Sequence, residues 1–106
     1  MTTYVSTEHQ FETIGIVLCP SVFGDGWRAN AYFQNDLGVE GNVATPQMQT
    51  AVSSIEFLVL MLGILRVKTE AIGISLYSGL KISTIQRDEA ENAAKKLGYF
   101  YRGETK

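Results

Sequence analysis

Histidine and cysteine, the residue types that most often serve in nucleophilic and zinc chemistry, occur once each in this 106-residue chain. His9 is the only histidine and Cys19 the only cysteine. A structural zinc site takes four histidine or cysteine ligands, so these two residues cannot form one. We expect His9 to be solvated in a polar terminal segment and Cys19 to be an inert thiol within a strand.

The carboxylates show no spacing typical of a metal-binding loop. Asp88, Glu89 and Glu91 fall where we expect a helix to start, and negative charge is stabilised there by the helix dipole. Glu56 differs because it interrupts an otherwise apolar helix. We favour a place at a sheet edge or an ion pair with Arg28, Lys68 or Arg66, and the alternative is a carboxyl group with a raised pKa in a pocket.

Phosphate and nucleic-acid chemistry find no support in the sequence either. Gly24 and Gly26 lack the third glycine and the following helix of a dinucleotide-binding loop. The nine basic residues are scattered, and the net charge is −2. We therefore predict no catalytic residues, no metal, no cofactor and no nucleic-acid partner, and we predict that the chain is not an enzyme.

A single cysteine allows no intramolecular disulfide, which fits a reducing compartment. The segment Met1–Tyr4 lacks the charged and apolar regions of a signal peptide. The apolar run Ala51–Leu65 is shorter than the ~20 residues that a membrane span needs. We expect a soluble, cytoplasmic protein with no membrane partner, folded as one domain over residues 1–106.

Alternating apolar residues predict the elements of the first half of the chain. A strand is expected over Thr13–Cys19, with Ile14, Ile16 and Leu18 on one face. A second is expected over Trp27–Gln34, and a weaker third over Val39–Val43. Tight turns at 24–26 and 35–38 would join the three strands into an antiparallel meander.

The long apolar segment predicts a helix from Thr45-Pro46 to Arg66, buried on nearly every side. Its core stripe is spaced at i, i+4, i+7, i+11 and i+14. Gly63 lies within this helix, where glycine costs about 1 kcal/mol relative to alanine, and it would allow a close approach to the sheet. The stripe consists of Ala51, Ile55, Leu58, Leu62 and Leu65.

The second half predicts a strand over Ala71–Tyr77, a short edge strand at 80–82 and an amphipathic helix. Ser83 and Gln86 form a capping box at its start, and Gly98 is the expected stop. The fold class is therefore α+β: an antiparallel sheet of four to five strands packed against one long apolar helix, with a shorter C-terminal helix.

Three local features of this chain recur together in one known group of proteins. They are Asp25-Gly26-Trp27 at the opening of a meander strand, the step into Thr45-Pro46 and a Leu-rich helix, and Leu97-Gly98-Tyr99-Phe100 near the end. This order resembles small bacterial immunity-type proteins of polymorphic and contact-dependent growth-inhibition toxin systems, although Phe100 stands where that pattern tends to have proline. The resemblance implies a non-enzymatic cytoplasmic protein that binds and blocks a cognate toxin domain, often a nuclease, and implies no catalytic residues.

We expect the partner to contact acidic and aromatic side chains on the outside of the sheet, because acidic groups would oppose the basic groove of a nuclease. Two alternatives stay open. One is a small-ligand module or minor enzyme that uses Glu56 in a helix–sheet pocket, and the other is a homo-oligomeric subunit with the apolar helix as its seam. The predicted contact residues are Asp25, Trp27, Tyr32, Asp36 and Glu40.

Overall fold

The computed structural model describes residues 10–21, 26–69, 73–77, 79 and 81–105. Five strands and two helices occupy these ranges. In chain order they are β1 (Glu12–Pro20), β2 (Trp27–Gln34), β3 (Glu40–Ala44), α1 (Ala51–Ile64), β4 (Gly73–Tyr77), α2 (Thr84–Lys96) and β5 (Phe100–Thr105).

The strands form one sheet in the order β3-β2-β1-β4-β5. The pairs β1–β2 and β2–β3 are antiparallel, as predicted, whereas β1–β4 and β4–β5 are parallel. The α+β class is confirmed, but the prediction of an antiparallel sheet is wrong because the sheet is mixed. The reason is connectivity, since α1 and α2 carry the chain back across the sheet before β4 and β5, and such crossovers favour parallel pairing.

The register of the sheet places the apolar side chains of its central strands on one face. Ile16 of β1 lies between Ala31 of β2 and Ile74 of β4. The next row along the same face is Ala29, Leu18 and Leu76. All six side chains are buried and belong to one core, on which both helices pack. In the described part of the chain, neither helix covers the opposite face.

Helix α1 begins later than predicted because the chain first continues beside β2. The Thr45 N–H donates to the Ala29 carbonyl (2.9 Å), and Thr45 Oγ1 accepts from the Ala29 N–H (3.1 Å). Met48 and Trp27 then exchange two backbone hydrogen bonds of 2.7 and 2.8 Å. The helix start is a capping box at Thr50, whose hydroxyl accepts from the Ser53 N–H at 3.0 Å. Thr45 is thus a strand-side residue, and α1 has 14 residues.

Only one side of α1 is buried, so the prediction of burial on nearly every side is wrong. Ala51, Ile55, Leu58 and Leu62 of the predicted stripe are fully buried, which confirms that part of the pattern. Leu65 follows the helix and is 54% exposed. Several large apolar side chains on the outer side of α1 are also exposed.

Helix α2 confirms its predicted capping box, in which the Ser83 hydroxyl accepts from the Gln86 N–H at 3.2 Å. Its predicted stop is also confirmed, since Gly98 has a φ of 82°, which glycine adopts without strain. The predicted place of Asp88, Glu89 and Glu91 at the start of a helix is wrong, because the first turn of α2 holds no acidic residue. Glu89 instead contacts α1. Its Oε2 accepts from the Ala51 N–H at 2.9 Å, so the carboxylate caps α1 rather than its own helix.

Within the described ranges, no helix combines the length and apolarity that crossing a membrane requires. Several sequence predictions fall wholly or partly outside those ranges. They concern His9, Asp25 and the turn at 24–26, the first two residues of the predicted strand Ala71–Tyr77, and Leu80 as part of an edge strand. The neighbouring residues Lys81 and Ile82 are not in a strand.

Candidate partner-binding surface

Three of the five predicted contact residues lie close together at one end of the sheet. Tyr32 is near the end of β2, on the face that neither helix covers, and is 44% exposed. Asp36 lies in the turn after β2, and Glu40 opens β3 opposite Gln34. Both carboxylates are exposed. The β2–β3 hairpin therefore brings these three side chains to one surface.

The other two predicted contact residues do not join this surface. Trp27 opens β2 at its opposite end and faces the core, with only 3% of its surface exposed. Side chains alternate between the two faces of β2, so Trp27 points into the core whereas Tyr32 points outward. The expectation that both lie in one surface patch is therefore wrong. Asp25 lies outside the described residues.

The turn that carries Asp36 is held by the side chain of Asn35. Asn35 Oδ1 accepts from the Leu37 N–H and from the Val39 N–H, both at 3.0 Å. Backbone bonds from Asn35 N–H to the Val39 carbonyl and from Gly38 N–H to the Asn35 carbonyl close the loop, each at 3.1 Å. Such an Asx turn fixes the backbone locally, so the exposed Leu37 side chain is presented from an ordered loop.

A β-bulge between Thr13 and Gly15 adds a further apolar side chain to this end of the sheet. An extra residue on one strand shifts the alternation of side chains. Ile14, predicted to share the core face with Ile16 and Leu18, is instead 51% exposed. Sequence alternation alone could not show this, because the bulge is set by pairing with β2.

We call these side chains the hairpin-end patch, which combines exposed apolar groups with carboxylates. Ile14 lies between two depressions, of about 490 and 480 Å³, and lines both. Glu12 and Asp36 line the first, and Tyr32 and Glu40 line the second. The patch consists of Glu12, Ile14, Tyr32, Asp36, Leu37, Val39 and Glu40.

The charge of the patch is negative. Glu12, Asp36 and Glu40 contribute three carboxylates, and Lys68 is the basic residue that lines the first depression beside them. On the same uncovered sheet face as Tyr32, the Asn30 side-chain amide donates to the Tyr32 hydroxyl at 3.2 Å, which orients the aromatic ring. The arrangement combines negative charge with exposed apolar groups, which is complementary to a basic, partly apolar surface.

Glu56 lies apart from the sheet, on the exposed side of α1. It lines a depression of about 330 Å³ between α1 and Leu97 and Tyr99, the residues that follow α2. The alternative function placed this residue in a pocket between helix and sheet, which is not where it lies.

The ion pair predicted for Glu56 is not formed with any described residue. Among the described residues, no three His, Cys, Asp or Glu side chains are grouped as metal ligands.

Cys19 lies on the uncovered sheet face, half-buried, opposite Arg28 of β2. Burial raises the pKa of its thiol above the ordinary value of 9.0, and the Arg28 charge lowers it by a smaller amount. The thiolate is the reactive form, so Cys19 has the character of an inert thiol at neutral pH.

We expect Cys19 to react with a thiol reagent at pH 8 about tenfold more slowly in the folded chain than in urea. Arg28→Gln should slow the reaction further, whereas Arg102→Gln, which removes another exposed cation, should not. The raised pKa also means that folding stability declines as the pH rises above 9.0, because the unfolded chain then ionises its thiol more readily. Equal rates in folded and unfolded chains would contradict this assignment.

In comparisons with known proteins, no family model, no curated protein and no solved structure matches the chain.

Proposed function

We propose that this chain is a protein-binding domain that neutralises a cognate toxin domain in the cytoplasm, without catalysis of its own. The observation that carries the proposal is the hairpin-end patch. There, three carboxylates and four large exposed side chains are gathered on a hydrogen-bonded hairpin and a bulged strand.

The composition of the patch supports a basic protein partner. Carboxylates on the rim of an interface raise the association rate with a positively charged surface, such as the substrate groove of a nuclease. Tyr32 offers a large aromatic contact of the kind that often carries binding energy. The two depressions beside Ile14 would receive partner side chains. An ordered loop lowers the entropic cost of binding.

The proposal is tested with the C-terminal domain of the toxin encoded directly upstream of this chain. We expect the chain to protect cells when the two are co-expressed, and to form a one-to-one complex with the purified toxin domain by calorimetry. Absence of such a toxin gene, or a toxin domain that kills cells despite co-expression, would contradict the proposal.

Variants of the patch then test the contact surface. Glu40→Lys should lower the association rate constant about tenfold at low salt, with a smaller effect at high salt. Tyr32→Ala should raise the dissociation rate about tenfold or more. Asp88→Lys reverses an exposed charge on α2 and is the matched control, expected to stay within about twofold of wild type. An effect of Asp88→Lys equal to that of Glu40→Lys would remove the patch from the interface.

A further inference from the structure

The outer side of α1 carries a row of apolar side chains that the described chain leaves uncovered. Phe57, Leu60 and Ile64 are 38%, 63% and 73% exposed. Their spacing, i, i+3 and i+7, is that of the a and d positions of a helix–helix seam. The buried stripe of α1 lies on the opposite side of the helix, so this second row plays no part in the core.

Gly63 borders the same row and packs against no other part of the described chain. A methyl group built at this position would meet no atom within 4 Å. The predicted reason for this glycine, a close approach to the sheet, is therefore wrong, because Gly63 is exposed. Glycine inside a helix is destabilising relative to alanine, and close approach of another backbone is one of its established uses.

Two opposite charges flank the apolar row. Glu56 precedes Phe57, and Arg66 follows the end of the helix; both are exposed, and neither forms an ion pair with a described residue. Glu56 lies eight residues before Ile64, the last residue of α1, which corresponds to about 12 Å along the helix. Arg66 lies beyond that end in a left-handed turn, so the two charges are too far apart for contact with each other.

The charges and the apolar row share one centre. The midpoint of Phe57 and Ile64 falls between Leu60 and Met61, and the midpoint of Glu56 and Arg66 falls at Met61. If two such helices lie antiparallel about a two-fold axis at this centre, Phe57 of one copy is level with Ile64 of the other. The same alignment places Glu56 of one copy beside the C-terminal end of α1 in the other, where Arg66 follows the helix in a left-handed turn. The surface is therefore complementary to itself in both apolar and charged groups.

We propose that two copies of this chain associate through α1, packed antiparallel about a two-fold axis close to Met61. Leu60 of each copy meets its counterpart at the axis, and Gly63 allows the two helices to approach closely. The seam is a different surface from the hairpin-end patch, and the inference does not rest on the proposed function.

Sedimentation equilibrium of the purified chain from low to high micromolar concentration tests the association directly. We expect the mass to rise from that of one chain to that of two and to stop there. Ile64→Glu should weaken the dimer at least tenfold. Ile85→Glu is the matched control, because Ile85 is equally exposed at 78% but lies on α2, and it should leave the dimer unchanged.

Charge reversal tests the alignment. Glu56→Arg and Arg66→Glu should each weaken the dimer several-fold, and their combination should recover most of the lost affinity. Circular dichroism checks that each variant is folded. A wild-type chain that stays monomeric at every concentration, or an Ile64→Glu chain that associates like wild type, overturns the proposal. A combined reversal that recovers nothing overturns the antiparallel alignment.

Discussion

Replacing Leu58 with alanine should lower the free energy of unfolding by about 3–5 kcal/mol. Leu58 is fully buried in α1, in the core formed with the sheet and α2. Its truncation removes apolar burial and leaves a cavity that a close-packed interior cannot fill completely. Since domains of this size have total stabilities of about 5–15 kcal/mol, the loss is a large part of the whole.

The matched control is Leu60→Ala, the same chemical change two positions further along the same helix. Leu60 is 63% exposed, so its truncation should cost less than about 1 kcal/mol. Urea unfolding of both variants at low protein concentration gives the comparison free of self-association. Similar losses for the two variants would mean that the buried and exposed faces of α1 are not as described.

Trp27→Ala is the second large effect, with an expected loss of about 3–5 kcal/mol in the free energy of unfolding. The indole is almost fully buried, and the Trp27 backbone is tied to Met48 by two hydrogen bonds at the approach to α1. Removing the ring therefore opens the core where β2 meets the segment that leads into α1. Denaturation followed by circular dichroism measures the loss, since the variant has no tryptophan fluorescence.

Tyr32→Ala, on the same strand, separates the structural from the recognition role. Tyr32 is 44% exposed, so its loss should cost about 1 kcal/mol or less in stability. If the proposed function holds, the affinity for the partner should fall strongly in Tyr32→Ala and change little in the conservative variant Trp27→Phe. This order is the reverse of the order expected for stability. A stability loss at Tyr32 as large as that at Trp27 would contradict the placement of the two side chains.

The sequence was most informative where the signal is local and periodic. The predicted bounds of β2, Trp27–Gln34, agree with the structure, because strict alternation leaves one register for a half-buried strand. Helix α2 was equally clear, since a capping box at Ser83 and a glycine stop at Gly98 mark both ends. These features depend on nearest neighbours in the chain and need no knowledge of the sheet.

Features that depend on distant pairing were not predicted. Thr45-Pro46 has the local appearance of a helix start, but hydrogen bonds to Ala29 hold Thr45 beside β2. The parallel position of β4 next to β1 also follows from tertiary packing. The element order β-α-β indicates this parallel pairing, because a helix between two strands favours a crossover connection.

The sequence predicts only those features of the candidate site that depend on local pattern, and misses those that depend on strand pairing. Alternation correctly gave Tyr32 an outward position, and the turn chemistry placed Asp36 near the surface. The same alternation places Trp27 on the opposite, core-facing side of β2, which conflicts with its predicted place in the contact patch. Ile14 was missed because a bulge, set by the partner strand, turned it outward.

The position of β1 at the centre of the sheet has a consequence for how the chain acquires its structure. On one side, β1 pairs with β2, the strand that directly follows it in the chain. On the other side it pairs with β4, where Ile16 lies opposite Ile74, a residue more than half the chain length later. During synthesis the first hairpin can therefore assemble long before its second neighbour has been made. Contacts of such high sequence separation slow folding, and the rate-limiting event is expected to be the docking of β4 rather than formation of the hairpin.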